Sequence, residues 1–452
     1  MTYQTTVEQL YSLGHELAFT PSHKFDLAYV REMLAALSNP ERRFPSVLVA
    51  GTNGKGSTAA TLSSILRTAG YKTALYSSPH LVRINERIRV NGEAIADVEF
   101  SEIYDRVERT AQQLLHSGRL PWHPSFFEML TVMAFEYFAS VGVEIAGLEV
   151  GMGGRLDATN VVDPLISVIA DIALDHQKYL GDTIGEIARE KAGIIRENGF
   201  VVTLPQHPEA NDVIGHAILD RHAIGISAVK YVPPVSPGAA EFLAGRIVPA
   251  PGRNRYPLSV MGEEILVDSP LAGRHQLRNI ALAVAAAEEL ARFGFKVTPR
   301  QVEQGIRETH WPGRFQVLPP SPATHQREMV LDVAHNPAGV WALRSTLSET
   351  FPDREFTIVF GAMGDKAVRE MAEILFPIAQ HVVVTAIANP RSATTEQLLQ
   401  AGSRTGTPMV AAATVTAALN RAGEITPLDG VIVVAGSIFL VGEAIERMGI
   451  SA

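Results

Sequence analysis

Three stretches of the chain combine reactive residue types with a spacing that would bring them together. The first is Gly51-Thr52-Asn53-Gly54-Lys55-Gly56-Ser57-Thr58. Glycines let backbone N–H groups converge on an anion, a helix beginning there presents its positive N-terminus, and Lys55 adds a mobile charge. Together they make a phosphate cradle. The run departs from the strict P-loop, because only two residues separate Gly51 from Gly54 and Gly56 stands between the lysine and Ser57. The alternative is an ordinary glycine-rich turn, but a β-branched run before it and a helical pattern after it favour the cradle. The second stretch is Glu149, set in the apolar run 145–150 just before Gly151-Met152-Gly153-Gly154. A carboxylate there is costly unless it is paired or metal-bound, and strand carboxyl ends are where ligands sit in open α/β sheets. A glutamate facing solvent at a sheet edge is the other reading. The third is Lys191, which fills a gap in the apolar stripe Ile184, Ile187, Ala188, Ile194 and Ile195 and so faces the core side of an amphipathic helix. It either snorkels or serves the chemistry.

The elements that position these residues alternate. Short apolar runs at 46–50, 73–78, 144–150 and 165–170 read as strands, with a helix at 57–68 stopped at Gly70. Such alternation predicts a mostly parallel sheet with helices on both faces. Ser78 and His176 then fall at strand ends. A second series of strands is expected at 329–333, 357–360, 381–385 and 431–435. Between the two series lies WPGRF followed by the Pro/Ser-rich run LPPSPATHQRE. Proline cannot serve a central strand, so residues 312–328 form the domain boundary. Residues 231–270, with scattered Gly and Pro, read as a small β insertion.

Composition narrows the class. The 452 residues carry 39 Lys+Arg against 48 Asp+Glu, a formal charge of −9, with no basic tail to hold nucleic acid. The length fits two or three domains. Cysteine is absent, which excludes disulfides, thiolate metal sites and a cysteine nucleophile and fits a reducing compartment. The longest apolar stretches fall short of the roughly 18–20 residues a membrane helix needs, and residues 1–10 show no secretory signal. The expectation is a soluble cytoplasmic α/β protein with no nucleic-acid or membrane partner.

GTNGKGST, YSSPHLVRINERI, LEVGMGGRLDATN, LDH, EKAGI, HQLRN, WPGRF and DVAHNP follow in this order. With them the chain resembles the folylpolyglutamate synthase/dihydrofolate synthase family, amide ligases of the Mur ligase superfamily, from about residue 45 to about residue 440. The resemblance implies a P-loop ATPase and pterin-binding domain with a parallel sheet over 1–312, and a smaller Rossmann-like glutamate ligase domain over 313–452. It implies ATP-dependent joining of L-glutamate to dihydropteroate or a reduced folate through an acyl phosphate, in a monomer. It assigns Thr52, Asn53, Gly54, Lys55, Gly56 and Ser57 to ATP, with Asn279 at adenine or ribose, Arg314 at phosphate and Asp332 at ribose. Ser78, Glu149 and His176 would hold Mg²⁺. Histidine is an unusual ligand for that ion, and Mn²⁺ would substitute. Lys191 would be carbamylated and support a second metal, and Lys55, Lys191 and His335 would be catalytic. Ser125, Phe126, Phe127, Glu128, Arg155, Leu156 and Asp157 would hold the pterin, with only one of the two phenylalanines stacking on it. Ser437 would lie near the incoming glutamate, although Ile438 stands where an aromatic is expected.

Blander roles stand beside these: an Arg155–Asp157 salt bridge capping a turn, Asn279 as a helix N-cap, and Arg314 with Asp332 as a structural interdomain pair. The competing functions are a Mur-type or cyanophycin-type ligase and a nucleotide-binding regulator without ligase chemistry. The fifty residues before Gly51 are too few for the uridine-nucleotide domain of Mur-type ligases, and the ordered acidic, histidine and lysine set argues against a regulator.

Overall fold

The computed structural model describes residues 1–14, 26–234 and 251–450. The first half is built on strands β1 (Ser46–Ala50), β2 (Thr73–Tyr76), β3 (Ile88–Val90), β4 (Glu93–Ala94), β5 (Ile145–Glu149), β6 (Ile166–Ile169), β7 (Phe200–Thr203) and β8 (Ile224–Ser227). Their order is β4-β3-β2-β5-β1-β6-β7-β8. From β2 to β8 the pairings are parallel, while β2–β3 and β3–β4 are antiparallel, so the sheet is mixed at one edge. The central strands β1, β5 and β6 are buried along their whole length and mostly apolar, as expected where helices cover both faces. Along β1, Leu48 and Ala50 enter one core and Val47 and Val49 the other, as the two-residue period of a strand requires.

A hairpin of β9 (Asn254–Val260) and β10 (Glu263–Ser269) follows, within the expected insertion, part of which (235–250) lies outside the described residues. The second sheet holds β11 (Gln316–Leu318), β12 (Glu328–Asp332), β13 (Phe356–Phe360), β14 (His381–Thr385), β15 (Met409–Ala412) and β16 (Val431–Ala435), ordered β11-β12-β16-β13-β14-β15. Only β11 runs antiparallel. This sheet has its own core on each face: Val330 of β12 enters one, Met329 and Leu331 the other. Two expected boundaries shift. The helix after the glycine loop starts at Lys55, capped by Gly54, and β2 ends at Tyr76, before Ser78.

Candidate active site

The carboxyl ends of β1, β5 and β6 in the first sheet, and of β12 and β16 in the second, open onto one cavity of about 970 Å³. Gly51 to Ser57 line it. The glycine loop is held from below: the backbone carbonyl of Asp171 accepts from Thr52 N at 2.8 Å and from Asn53 N at 3.1 Å. Gly54 caps the helix Lys55–Thr68 with φ 88° and no side-chain hydrogen bond, leaving the first helical N–H groups open to a ligand. Lys55 Nζ folds back onto the carbonyls of Gly51 and Thr52, both at 3.1 Å.

Glu149 ends β5, paired in register with Val49 of β1, and is 6% exposed. Its strand is central, so the solvent-edge reading fails. Ser78 N donates to Glu149 Oε2 at 3.3 Å, which puts the serine and the carboxylate side by side. His176, in a left-handed turn with φ 52°, faces the same cavity. Burial, with Lys366, Lys55 and His335 nearby and only Asp175 opposing, pushes its imidazole down to about 4, so the ring is neutral with a lone pair available. Among the described residues no three His, Cys, Asp or Glu side chains form a metal cage; the Ser78, Glu149 and His176 set mixes a hydroxyl with two such groups.

Lys191 is 3% exposed and donates from Nζ to the Gly51 carbonyl at 2.8 Å. It does not snorkel. Burial first, then the charge on Lys55, lowers its ammonium to about 7 against the pull of Asp175, Asp157 and Glu190. A substantial share of the amine is therefore uncharged near neutrality.

On the opposite wall, Phe127 touches the cavity and presses on Gly151, where an added Cβ would lie 2.5 Å from its ring. Phe126 does not reach the cavity. It is 2% exposed and stacks on Tyr11 at 5.6 Å. Every other residue that the resemblance assigns to the site lines the cavity, Leu156, Arg155, Asp157, His335 and Ser437 included. Ser125 and Glu128 do so as a reciprocal capping box, with Ser125 N and Oγ both donating to Glu128 Oε2 at 2.7 Å.

Two blander roles fail. Arg155 binds Glu190 at 2.9 Å, while Asp157 accepts from Met152 N and Thr159 N, so the local Arg155–Asp157 bridge is absent. Asn279 does not cap its helix. The helix Arg274–Glu289 starts from Gly273, and Asn279, a turn and a half in, donates to Gln276 at 2.8 Å. Asp332 accepts from Phe315 N and Ala334 N, each at 2.8 Å; burial raises its carboxyl and lowers the Arg314 guanidinium, each partly offset by the other.

The sequence reading missed Asp171, Asp175, Arg278 and Lys366. Asp171 takes Arg278 in a two-pronged pair, with contacts of 2.9 and 2.6 Å. Lys366 follows β13 by six residues and meets Asp175 at 2.6 Å. The signal for Asp175 was its place beside His176, and for Lys366 a lysine in the loop leaving a parallel strand.

A Mur ligase middle domain matches residues 110–287 and a Mur ligase glutamate ligase domain matches residues 313–438. With the glycine loop facing a second sheet across one cavity, this defines an ATP-dependent ligase of the Mur type. The chain is 35% identical over 377 residues to the dihydrofolate synthase/folylpolyglutamate synthase of Bacillus subtilis, covering 83% of this chain and 84% of that one. Folylpolyglutamate synthase of Mycobacterium tuberculosis, solved with ADP and AMPPCP, superposes with a TM-score of 0.87 at 30% identity over 99% of both chains. Escherichia coli FolC, solved with DHPP and ADP, gives 0.81 at 28% identity over 99% of this chain and 98% of that one. The chain belongs to the dihydrofolate synthase/folylpolyglutamate synthase family.

Proposed function

We propose that this protein joins the amino group of L-glutamate to a pterin-bearing carboxylate at the expense of ATP, accepting both dihydropteroate and reduced folates. The observation that carries the reading is the single cavity in which a phosphate loop, the Phe127 wall and the strand ends of the second sheet converge. A carboxylate is a poor electrophile because its leaving group would be oxide. Transfer of the γ-phosphoryl group makes an acyl phosphate; the glutamate amine then attacks the carbonyl carbon and phosphate leaves, giving an amide and ADP.

In this reading the open N–H groups after Gly54 and the Lys55 ammonium cradle the phosphates. Arg314 adds positive charge from the hinge, and Asp332 and Asn279 orient the nucleoside. Phe127 offers the flat face a pteridine needs. The donor set fits Mg²⁺: a carboxylate and a hydroxyl are hard oxygen ligands, and the neutral His176 ring can donate where an imidazolium could not. Glu149, Ser78 and His176 would hold it, and Mn²⁺ would be accepted. Bound there, the ion would neutralise charge on the phosphates as the transfer proceeds. Lys191, partly uncharged near neutrality, is suited to add CO₂ as a carbamate, an anion that would help hold a second ion. Ser437, which lines the same cavity, would lie near the incoming glutamate, and His335 would serve the chemistry. The division falls at 312/313, just ahead of β11. We read the protein as a cytoplasmic monomer, which sedimentation tests.

ADP release measured with dihydropteroate and with tetrahydrofolate, each with and without L-glutamate, tests the activity. Turnover should require glutamate and occur with both pterins. Glutamate-independent hydrolysis at an equal rate would refute it, and turnover with one pterin alone would confine the enzyme to that step.

A further inference from the structure

Asp175 gathers side chains from both halves of the molecule around one buried carboxylate. Its Oδ1 lies 2.6 Å from Lys366 Nζ, and its Oδ2 lies 3.1 Å from Asn336 Nδ2 and 3.6 Å from His335 Nε2. Asp175 follows β6 in the first sheet; the other three come from loops that leave β12 and β13 in the second. Asn336 reaches further, donating from Nδ2 to Asn53 Oδ1 of the phosphate loop at 3.0 Å. A polar chain from Lys366 through Asp175 and Asn336 to Asn53 thus crosses the cleft without a break.

The two charged members are nearly out of water, with side chains 7% and 12% exposed. The Arg274–Glu349 pair also joins the halves, at 2.9 Å, but its side chains are 63% and 44% exposed. Such a surface pair is screened and contributes little, whereas a desolvated pair is strongly disfavoured once one partner is withdrawn. Buried as it is only while the two sheets face each other, the Asp175–Lys366 contact belongs to the closed arrangement.

We propose that Asp175 is a positioning residue for the ligase reaction: through Lys366 and Asn336 it clasps the second sheet onto the phosphate loop and so sets how much of the enzyme is closed. The kinetic part of this rests on the ligase reading above; the conformational part does not.

Asp175→Asn keeps the size of the side chain and an oxygen for Asn336 but removes the charge facing Lys366. Lys366→Met removes the other half of the pair. In small-angle scattering, wild type with AMPPCP and Mg²⁺ should contract relative to the nucleotide-free protein, and both variants should keep the wider radius. In steady-state assays kcat should fall roughly tenfold or more while KM for the pterin stays within about threefold, and Asp175→Glu should recover part of the loss. The double variant should be no worse than the worse single one, because the pair acts as a unit. Additive losses, or normal contraction of Asp175→Asn, would overturn the proposal. So would a loss that extra Mg²⁺ fully restores, which would tie Asp175 to His176 alone. If wild type turned over neither pterin, the proposed function would fall, and the scattering comparison would still decide the clasp.

Discussion

Gly54→Ala tests the phosphate loop more directly than removing its lysine, because the cost can be worked from geometry. Gly54 has φ 88° and ψ −11°, a left-handed conformation that costs an L-residue about 1–2 kcal/mol. A Cβ there would lie 2.2 Å from Asn279 Oδ1 and 2.9 Å from its Cγ. The Asn279 amide must swing away, giving up its 2.8 Å bond to Gln276 at about 1 kcal/mol. The sum is about 2–3 kcal/mol, or roughly 30- to 150-fold. The variant loop is expected to relax out of this conformation when no nucleotide holds it there, so the loss should appear in ATP affinity. KM for ATP should rise at least 30-fold, with a drop in Tm of no more than about a few degrees. The companion Gly70→Ala has φ 96° but open space around its Cβ; it should lower Tm slightly and leave KM for ATP unchanged. A Gly54→Ala enzyme with KM for ATP within threefold of wild type would refute the reasoning, since the clash and the left-handed turn would then have no bearing on the nucleotide.

Lys55→Ala should lower kcat by roughly 100-fold or more, as expected when a preorganised charge at a reacting phosphoryl group is lost; a near-normal rate in a rapid-quench assay would remove the loop from the chemistry. Glu149→Gln, which keeps shape and drops charge, should raise the Mg²⁺ concentration needed for half-maximal rate by tenfold or more while the melting curve stays in place, and identical metal titrations would make Glu149 structural. Lys191 predicts a pH dependence. Only its uncharged amine adds CO₂, so enzyme stripped of CO₂ should regain activity with bicarbonate faster at pH 8 than at pH 6; equal rates would argue against a carbamate. In the CO₂-free protein, the unfolded chain holds a proton on Lys191 between pH 7 and 10.5 that the folded chain does not. Its contribution to stability therefore rises with pH across that window and is flat below it, which denaturant melts of wild type and Lys191→Met would compare.

Much of the site was legible because it sits where β-branched runs stop. Glu149 and Asp332 each end a strand that the sequence displays as an apolar run, and the glycines after Ala50 and Glu149 announce the turns that follow. Lys191 was legible because helical periodicity left no solvent-facing place for it. The Asp175–Lys366 pair was not, because its members stand 191 residues apart and only the packing of one sheet against another joins them. The cap that stood as the blander alternative for Asn279 fails because its helix begins on a glycine and offers no polar N-cap side chain to mark the start. The Ser125-x-x-Glu128 spacing did carry a capping signal, obscured by reading all four residues as pterin contacts. The mixed edge at β3 and β4 is formed by strands of three and two residues, too short for any period to register.

Leu81 belongs by sequence to the segment after Ser78, yet it is buried in the second sheet's core with Val333 and Ile438. Its carbonyl lies so close to Gly442 that an added Cβ would sit 1.9 Å away. The peg and its socket are therefore one packing unit, split between the two halves of the chain. A chimaera that exchanges residues 313–452 with those of a relative keeps its cleft only if the incoming helix Ile438–Met448 also has a glycine facing Leu81. A half-molecule ending at residue 312 would leave Leu81 as an apolar side chain with nowhere to go. The two halves are recombinable in outline, but this contact makes them a matched pair.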